Sequence, residues 1–187
     1  MKKILSILIA LIIVGGIVYL SWLNRVEAPG NEISATRNFA SPLYGVSFTY
    51  PTHYFLEEKN IDANHAQILL TEDTEENKAI REGKAPGREG PPAITIDVFK
   101  QTQSKQSAAE FINNNPNSNV KLGNGVVSTT TRGALTGLEY TWSGLYEGRS
   151  FVVSNAEYIY LFSVTRLAPE DRIVSDFDSL MKTVVIQ

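Results

Sequence analysis

The sequence predicts an α+β domain, a mostly antiparallel central β-sheet flanked by helices, preceded by one transmembrane helix. Three observations predict it. An uncharged apolar run of 20 residues extends from Ile4 to Leu23, a series of alternating apolar segments follows between residues 44 and 165, and two amphipathic helical patterns interrupt and close that series.

The apolar run follows Met1-Lys2-Lys3 and precedes Asn24-Arg25; at about 1.5 Å per residue it is roughly 30 Å long, one bilayer core. Tyr19 and Trp22 stand near its far end, where amphipathic rings favour the interface. A cleaved secretory signal would have a shorter apolar region and a small-x-small cleavage site; the nearby triplet Val26-Glu27-Ala28 would place Pro29 first in the mature chain and oppose processing. Residues 1–25 are therefore expected to stay as an anchor, with Lys2 and Lys3 cytoplasmic and the remainder outside the cell membrane. With no cysteine, the chain carries neither a lipid attachment of that kind nor a disulfide, and an exported domain must hold together by packing.

Removing Lys2, Lys3 and Arg25 from the 17 basic residues leaves 14 against 20 acidic ones, a net charge of −6 beyond the anchor. That excludes nucleic acid as an expected partner and disfavours flat binding to anionic lipid headgroups. Residues 26–41 have Pro, Gly, Asn and Ser without an apolar period and read as a linker. The remaining 146 residues, 42–187, suffice for one core.

That domain opens with Val46, Phe48 and Tyr50 alternating with Ser47 and Thr49, a half-buried strand stopped by Pro51. Residues 54–57 and 67–71 read as the next two strands. The segment from Glu72 to Pro92 is charged and rich in Gly and Pro, and reads as a long loop with a helical turn near residues 75–81. Alternation resumes at 94–99. Ser107 and Glu110 then make a capping box, with Phe111 and Ile112 on the buried face of a helix, and residues 113–118 form a turn.

Residues 125–131, 137–142, 149–153 and 157–165 follow at the spacing of an antiparallel meander. The last of them is apolar at both alternating sets, Tyr158, Tyr160 and Phe162 on one side and Ile159 and Leu161 on the other, which predicts a central strand covered on both faces. The final helix is expected from Pro169, with Glu170 and Asp171 in its first turn and Ile173, Val174, Phe177, Leu180 and Met181 on one stripe. Residues 183–186 read as a closing strand.

The opening Tyr44-Gly45-Val46-Ser47-Phe48-Thr49-Tyr50-Pro51, the hairpin region from Gly133 to Val164 and the ending Phe177-Asp178-Ser179-Leu180-Met181-Lys182-Thr183 resemble the PsbP and Mog1-like superfamily. The resemblance covers most of residues 42–187 and implies a central antiparallel sheet flanked by helices and a non-enzymatic, accessory or binding role. It implies no photosystem or Ran-GTPase association here. The anchor, the linker and the loop from Glu72 to Pro92 depart from those namesakes, and no functional residue carries over.

No catalytic, cofactor-binding or metal-binding residue is predicted. Only His53 and His65 could serve a Ser-His-Asp arrangement, and both read as surface turn residues. Ser118 with Lys121 and Ser179 with Lys182 match a loose Ser-x-x-Lys spacing that chance supplies, and both pairs read as surface positions. Glu72, Asp73, Glu75 and Glu76 cluster, but Lys78, Arg81, Lys84 and Arg88 follow in the same loop, so the cluster reads as a solvated mixed-charge segment. The function expected is a membrane-tethered extracytoplasmic binding or accessory module, contacting an envelope protein or a surface polymer, with the Glu72 to Pro92 loop as its recognition surface. The alternatives are an envelope hydrolase built from dispersed carboxylates and a structural spacer.

Overall fold

Alternation along the strands sorts their side chains onto two faces of one large sheet, and both faces are partly covered. The computed structural model describes residues 35–85, 89–102 and 105–187. The expected anchor, Ile4 to Leu23, lies outside them. Among the described residues no helix is long and apolar enough to cross a membrane.

In chain order the elements are β1 (Thr36–Ser41), β2 (Val46–Pro51), β3 (Tyr54–Asp62), β4 (His65–Glu72), α1 (Glu75–Arg81), β5 (Ile94–Lys100) and α2 (Ala108–Asn114). Two 3-10 turns at Pro116–Ser118 and Val120–Leu122 lead to β6 (Gly123–Arg132), β7 (Leu135–Ser143), β8 (Glu147–Ser154), β9 (Tyr158–Arg166), α3 (Arg172–Met181) and β10 (Val185–Ile186). Seven strands form an antiparallel sheet in the order β3-β4-β5-β9-β8-β7-β6, and a small sheet has the order β1-β2-β10. The α+β class, the dominance of antiparallel pairing and the central place of β9 agree with expectation.

The aromatic opening strand is not part of the large sheet. β2 pairs with β1 and β10 instead, and its Val46, Phe48 and Tyr50 turn onto the large sheet, where they join Ile68, Ile96, Phe162 and Phe177 in the main core. The linker expected to run to Ser41 is accordingly shorter, because Thr36–Ser41 is a strand in register with β2 from Thr36↔Pro51 to Ser41↔Val46. Its side chains hide it from sequence: most are exposed, and Phe39 alone packs on the core, 5.0 Å from the Phe48 ring.

The last helix starts at Arg172 rather than Pro169. Asp171, in place of capping the helix, accepts backbone hydrogen bonds from Leu167 and Ala168 and so ties the preceding turn. Those two bonds hold its carboxyl below the usual carboxylate range. Within α3, Ile173, Phe177, Leu180 and Met181 are buried as the stripe predicts.

The second face carries a smaller core of Phe111 and Ile112 from α2 with Tyr140, Val152, Ile159 and Leu161 from the strands beneath. The α2 capping box forms as expected, Ser107 N–H and hydroxyl both donating to Glu110 and Glu110 N–H donating to Ser107 Oγ. At the far edge, Gly133 adopts φ +58° in the two-residue β6–β7 turn, where an added Cβ would lie 2.6 Å from the Met181 carbonyl. Arg132 fixes this hairpin, pairing through two bonds with Glu139 and through a third with Asp178 of α3.

Candidate functional site

The second face is covered by α2 only over its β7–β9 half. Where that cover stops, the end of β5, the β3–β4 turn and the segment after α2 enclose an open cleft of about 400 Å³. Its walls are Asp62, Asn64 and His65 on one side, Phe99, Lys100, Gln101 and Thr102 at the base, and Gln106, Asn115, Pro116 and Asn117 opposite.

Each wall is fixed locally. The Asn64 carbonyl accepts the Lys100 N–H, and Gln101 N–H donates to the Glu157 carbonyl. The Gln101 amide bridges outward, donating to the Asn155 carbonyl and accepting from Gln106 N–H. Asn115 caps the first 3-10 turn through Asn117 N–H, and Asn119, at φ +57°, reverses the chain into the second. Ser118 is buried between them: its hydroxyl donates to the Ile112 carbonyl, and its own carbonyl accepts the Tyr140 hydroxyl at 2.5 Å. The expected surface position of Ser118 is thus corrected, since this hydroxyl closes the turn under α2. Ser179 is exposed, as expected.

His65 is not a solvated turn residue. It opens β4, stacks on Phe99 at 4.2 Å between ring centroids, and has its Nε2 2.8 Å from Asp97 Oδ1. That oxygen also accepts the Gln67 side-chain amide at 3.0 Å. Asp97 is 8% exposed in the middle of β5, so both donors compensate a carboxylate withdrawn from water. With Nε2–H donated to Asp97, Nδ1 has no hydrogen-bond partner among the described residues, and the residue lines the cleft. The side chains of Asn64, Lys100 and Asn117 are likewise without hydrogen bonds among the described residues. The cleft therefore offers amides, one ammonium, one imidazole nitrogen and an aromatic edge to a ligand, with Asp62 balancing Lys100 in charge.

His53 is also better tied than a turn residue. Its Nε2 lies 3.1 Å from Asp176 Oδ2, which accepts the Tyr54 hydroxyl at 3.0 Å, and Arg172 packs against the same imidazole. Burial and the adjacent Asp176 carboxylate push the Tyr54 phenol far above its ordinary range. The group joins the start of β3 to α3 and is a docking device for the helix. Sequence gave no signal for either histidine pair, because the partners are remote in the chain.

The Glu72 to Pro92 segment contains α1 as expected, capped by the Thr74 hydroxyl, with none of the helical residues buried. Arg81 reaches back to Asp73 and Thr71 and lies 4.0 Å over the Phe55 ring, which joins the acidic cluster and its neighbouring cations into one mixed-charge surface. Glu72 belongs to β4, and Glu75 and Glu76 lie in the first turn of α1, where the helix dipole favours them.

No family model and no curated protein matches the sequence. Among solved structures, the solution structure of cyanobacterial PsbP (CyanoP) from Synechocystis aligns with a TM-score of 0.53 at 11% identity, covering 84% of this chain and 96% of that one. A crystal structure from Bacteroides thetaiotaomicron aligns with a TM-score of 0.47 at 12% identity, over 81% of this chain and 48% of that one. At such identities likeness extends to architecture alone, and the domain has a PsbP-like fold.

Proposed function

We propose that this chain is a membrane-tethered extracytoplasmic binding module whose ligand, a hydroxyl-rich segment of a surface polymer, occupies the cleft between the β3–β4 turn and the segment after α2. The observation that carries the reading is one cleft of about 400 Å³ lined by Asn64, Lys100 and Asn117, whose side chains have no hydrogen bond among the described residues, and by the His65 imidazole that Asp97 holds. Planar amides and an oriented imidazole bind neutral hydroxyls by paired donation and acceptance, and the single Lys100 and Asp62 charges offset each other. The tether rests on the Lys2-Lys3 flank and the uncharged run from Ile4 to Leu23.

Two experiments test the two halves of the proposal. Titrating isotope-labelled protein with soluble glycan fragments should shift amide resonances of Asn64, Lys100 and Asn117 together; shifts absent there, or spread over the surface, overturn the cleft as the ligand site. Reporter fusions after Gln187 should be active only outside the cytoplasm, and activity of a cytoplasm-only reporter overturns the orientation.

One observation favours a catalytic reading, the imidazole of His65 oriented by Asp97 at the cleft wall. The discriminating measurement is turnover: glycan fragments cleaved by the wild type and not by His65→Gln would make the module a hydrolase.

A further inference from the structure

Asn124-Gly125 is the one Asn-Gly pair in the sequence, and β6 holds it at an irregular place. β6 pairs with β7 at Gly123↔Trp142 and again from Val127↔Tyr140, so Asn124, Gly125 and Val126 stand opposite Thr141 alone, with no partner in register. All three are exposed. Gly125 carries the chain through φ +78°, a left-handed conformation that glycine adopts without strain, and a Cβ built on it would meet nothing within 4 Å. Water reaches this bulge freely.

The Asn124 side chain is folded forward along the chain. Its Oδ1 accepts the Val126 N–H at 3.1 Å, closing a side-chain turn around the Gly125 peptide. The turn holds the Asn124 carboxamide carbon beside the Gly125 nitrogen. It also sets an N–H donor on the oxygen where negative charge develops if that nitrogen attacks.

We infer that Asn124 is a self-modifying site, converting without an enzyme to an aspartyl or isoaspartyl residue through a cyclic imide with Gly125. Water is the only co-reactant. The Gly125 N–H gives its proton to solvent as its nitrogen bonds to Asn124 Cγ; the Cγ–Nδ2 bond breaks, and ammonia leaves with a proton returned from solvent. Water then breaks one of the two imide C–N bonds. Breaking the side-chain one leaves an aspartyl residue, and breaking the main-chain one leaves an isoaspartyl residue, with the chain running through Cγ. Either product places a carboxylate on a strand that is uncharged from Gly123 to Thr131, the kind of charge that blunts an edge strand against pairing.

Other asparagines show why position 124 stands apart. Asn155 makes the same bond, its Oδ1 accepting the Glu157 N–H, but the next residue is Ala156, whose Cβ crowds the attack. Asn115 accepts the Asn117 N–H, yet it precedes Pro116, which has no N–H to lose. Asn117 precedes the small Ser118, which is buried with its N–H on the Asn115 carbonyl. Turn, exposure and glycine coincide at Asn124.

The test keeps the full chain in mild detergent at mildly alkaline pH for several weeks and follows the peptide of residues 122–132, which trypsin releases after Lys121 and Arg132. Asn124 should gain about 1 Da, hydroxyl for amide, and its peptide should divide into two isomers by chromatography, while Asn117 and Asn155 convert several-fold more slowly. A synthetic peptide of residues 121–132 gives the rate of the sequence without the fold, and the folded chain should match or exceed it. Val126→Pro removes the N–H donor at an edge position outside the register and should slow conversion several-fold with circular dichroism unchanged. If that variant fails to fold, the comparison with the peptide decides. An unchanged mass at Asn124, or a folded chain several-fold slower than the peptide, overturns the inference, because β6 then protects the pair. An unaltered rate in folded Val126→Pro overturns it too, since the turn then plays no part.

Discussion

The two faces of the seven-stranded sheet come from the same alternating strands, yet they are closed to different extents. Among the described residues, α3 and the small sheet seal a core of nineteen buried apolar side chains on the first, and α2 and the 3-10 turns seal a core of six on the second. Along β4 and β5 the contrast is residue by residue. Ile68, Leu70, Ile94, Ile96 and Val98 face the sealed side, while Gln67, Asp97 and His65 face the other. A second face that carries polar groups cannot be covered by an apolar helix without orphaning them, so it stays open where the first must close. The difference puts the larger core on one face and leaves an open, polar-lined cleft on the other.

Emptying the sealed face should have the largest effect. Phe177 is fully buried in α3 against that core, with Arg149 5.2 Å over its ring. Phe177→Ala is expected to cost about 3–5 kcal/mol in denaturant unfolding, by loss of transfer energy and creation of a cavity. A loss below about 1 kcal/mol would mean that the first face is not the main source of stability.

The second face should respond less, and through polar groups. Tyr140→Phe removes the donor to the Ser118 carbonyl and is expected to cost about 1–3 kcal/mol, because a buried acceptor is left without that bond. Burial also pushes the Tyr140 and Tyr160 phenols up to about 12. A folded value raised above the unfolded one of about 10 gives stability that is full below pH ~10 and lost as pH rises toward 12. Denaturation measured from pH 9 to 12 should show that decline, and Tyr140→Phe should lessen its slope.

Function and stability should separate at Asp97. Asp97→Asn keeps the shape but weakens the hold on the His65 ring, so glycan binding should fall several-fold while the unfolding midpoint moves little. If stability collapses without an effect on binding, the His65–Asp97 pair is structural and the cleft does not use it.

What was legible in the sequence follows the range of the interactions that fix each element. The α2 capping box lies within four residues and was readable from Ser107 and Glu110 alone. β9 was readable because both of its alternating sets are apolar, which only a strand covered on two faces requires. β1 was not, since its order comes from main-chain bonds to β2, which leave no side-chain period. The start of α3 was misplaced because Pro169 and two acids imitate a first turn, whereas the Asp171 carboxylate is used by Leu167 and Ala168. The cleft was invisible: His65 and Asp97 meet through strand register across 32 residues of chain, and no local pattern encodes that register.

The smallest effect is expected from the segment between β4 and β5, which belongs to neither face. None of the α1 residues is buried, and its ties include the exposed Arg81–Asp73 pair, a bond from Arg81 to Thr71, the contact of Arg81 with Phe55, the Asn77 amide on the Glu72 carbonyl, the Asp73 N–H on the His53 carbonyl and the Tyr146 hydroxyl on the Gly90 carbonyl. An exposed ion pair contributes roughly 0–1 kcal/mol, and closing a shorter loop recovers some entropy. Replacing residues 74–90 with a short Gly-Ser turn should therefore shift the unfolding free energy by about 1 kcal/mol or less, and leave glycan shifts at Asn64 and Asn117 in place. Capture of an envelope protein from native membranes, if it runs through this segment, should be lost in the same variant. An unfolded product would show instead that the segment completes the core between β4 and β5, and the division into a sealed face, an open face and a displayed loop would fail at its third part.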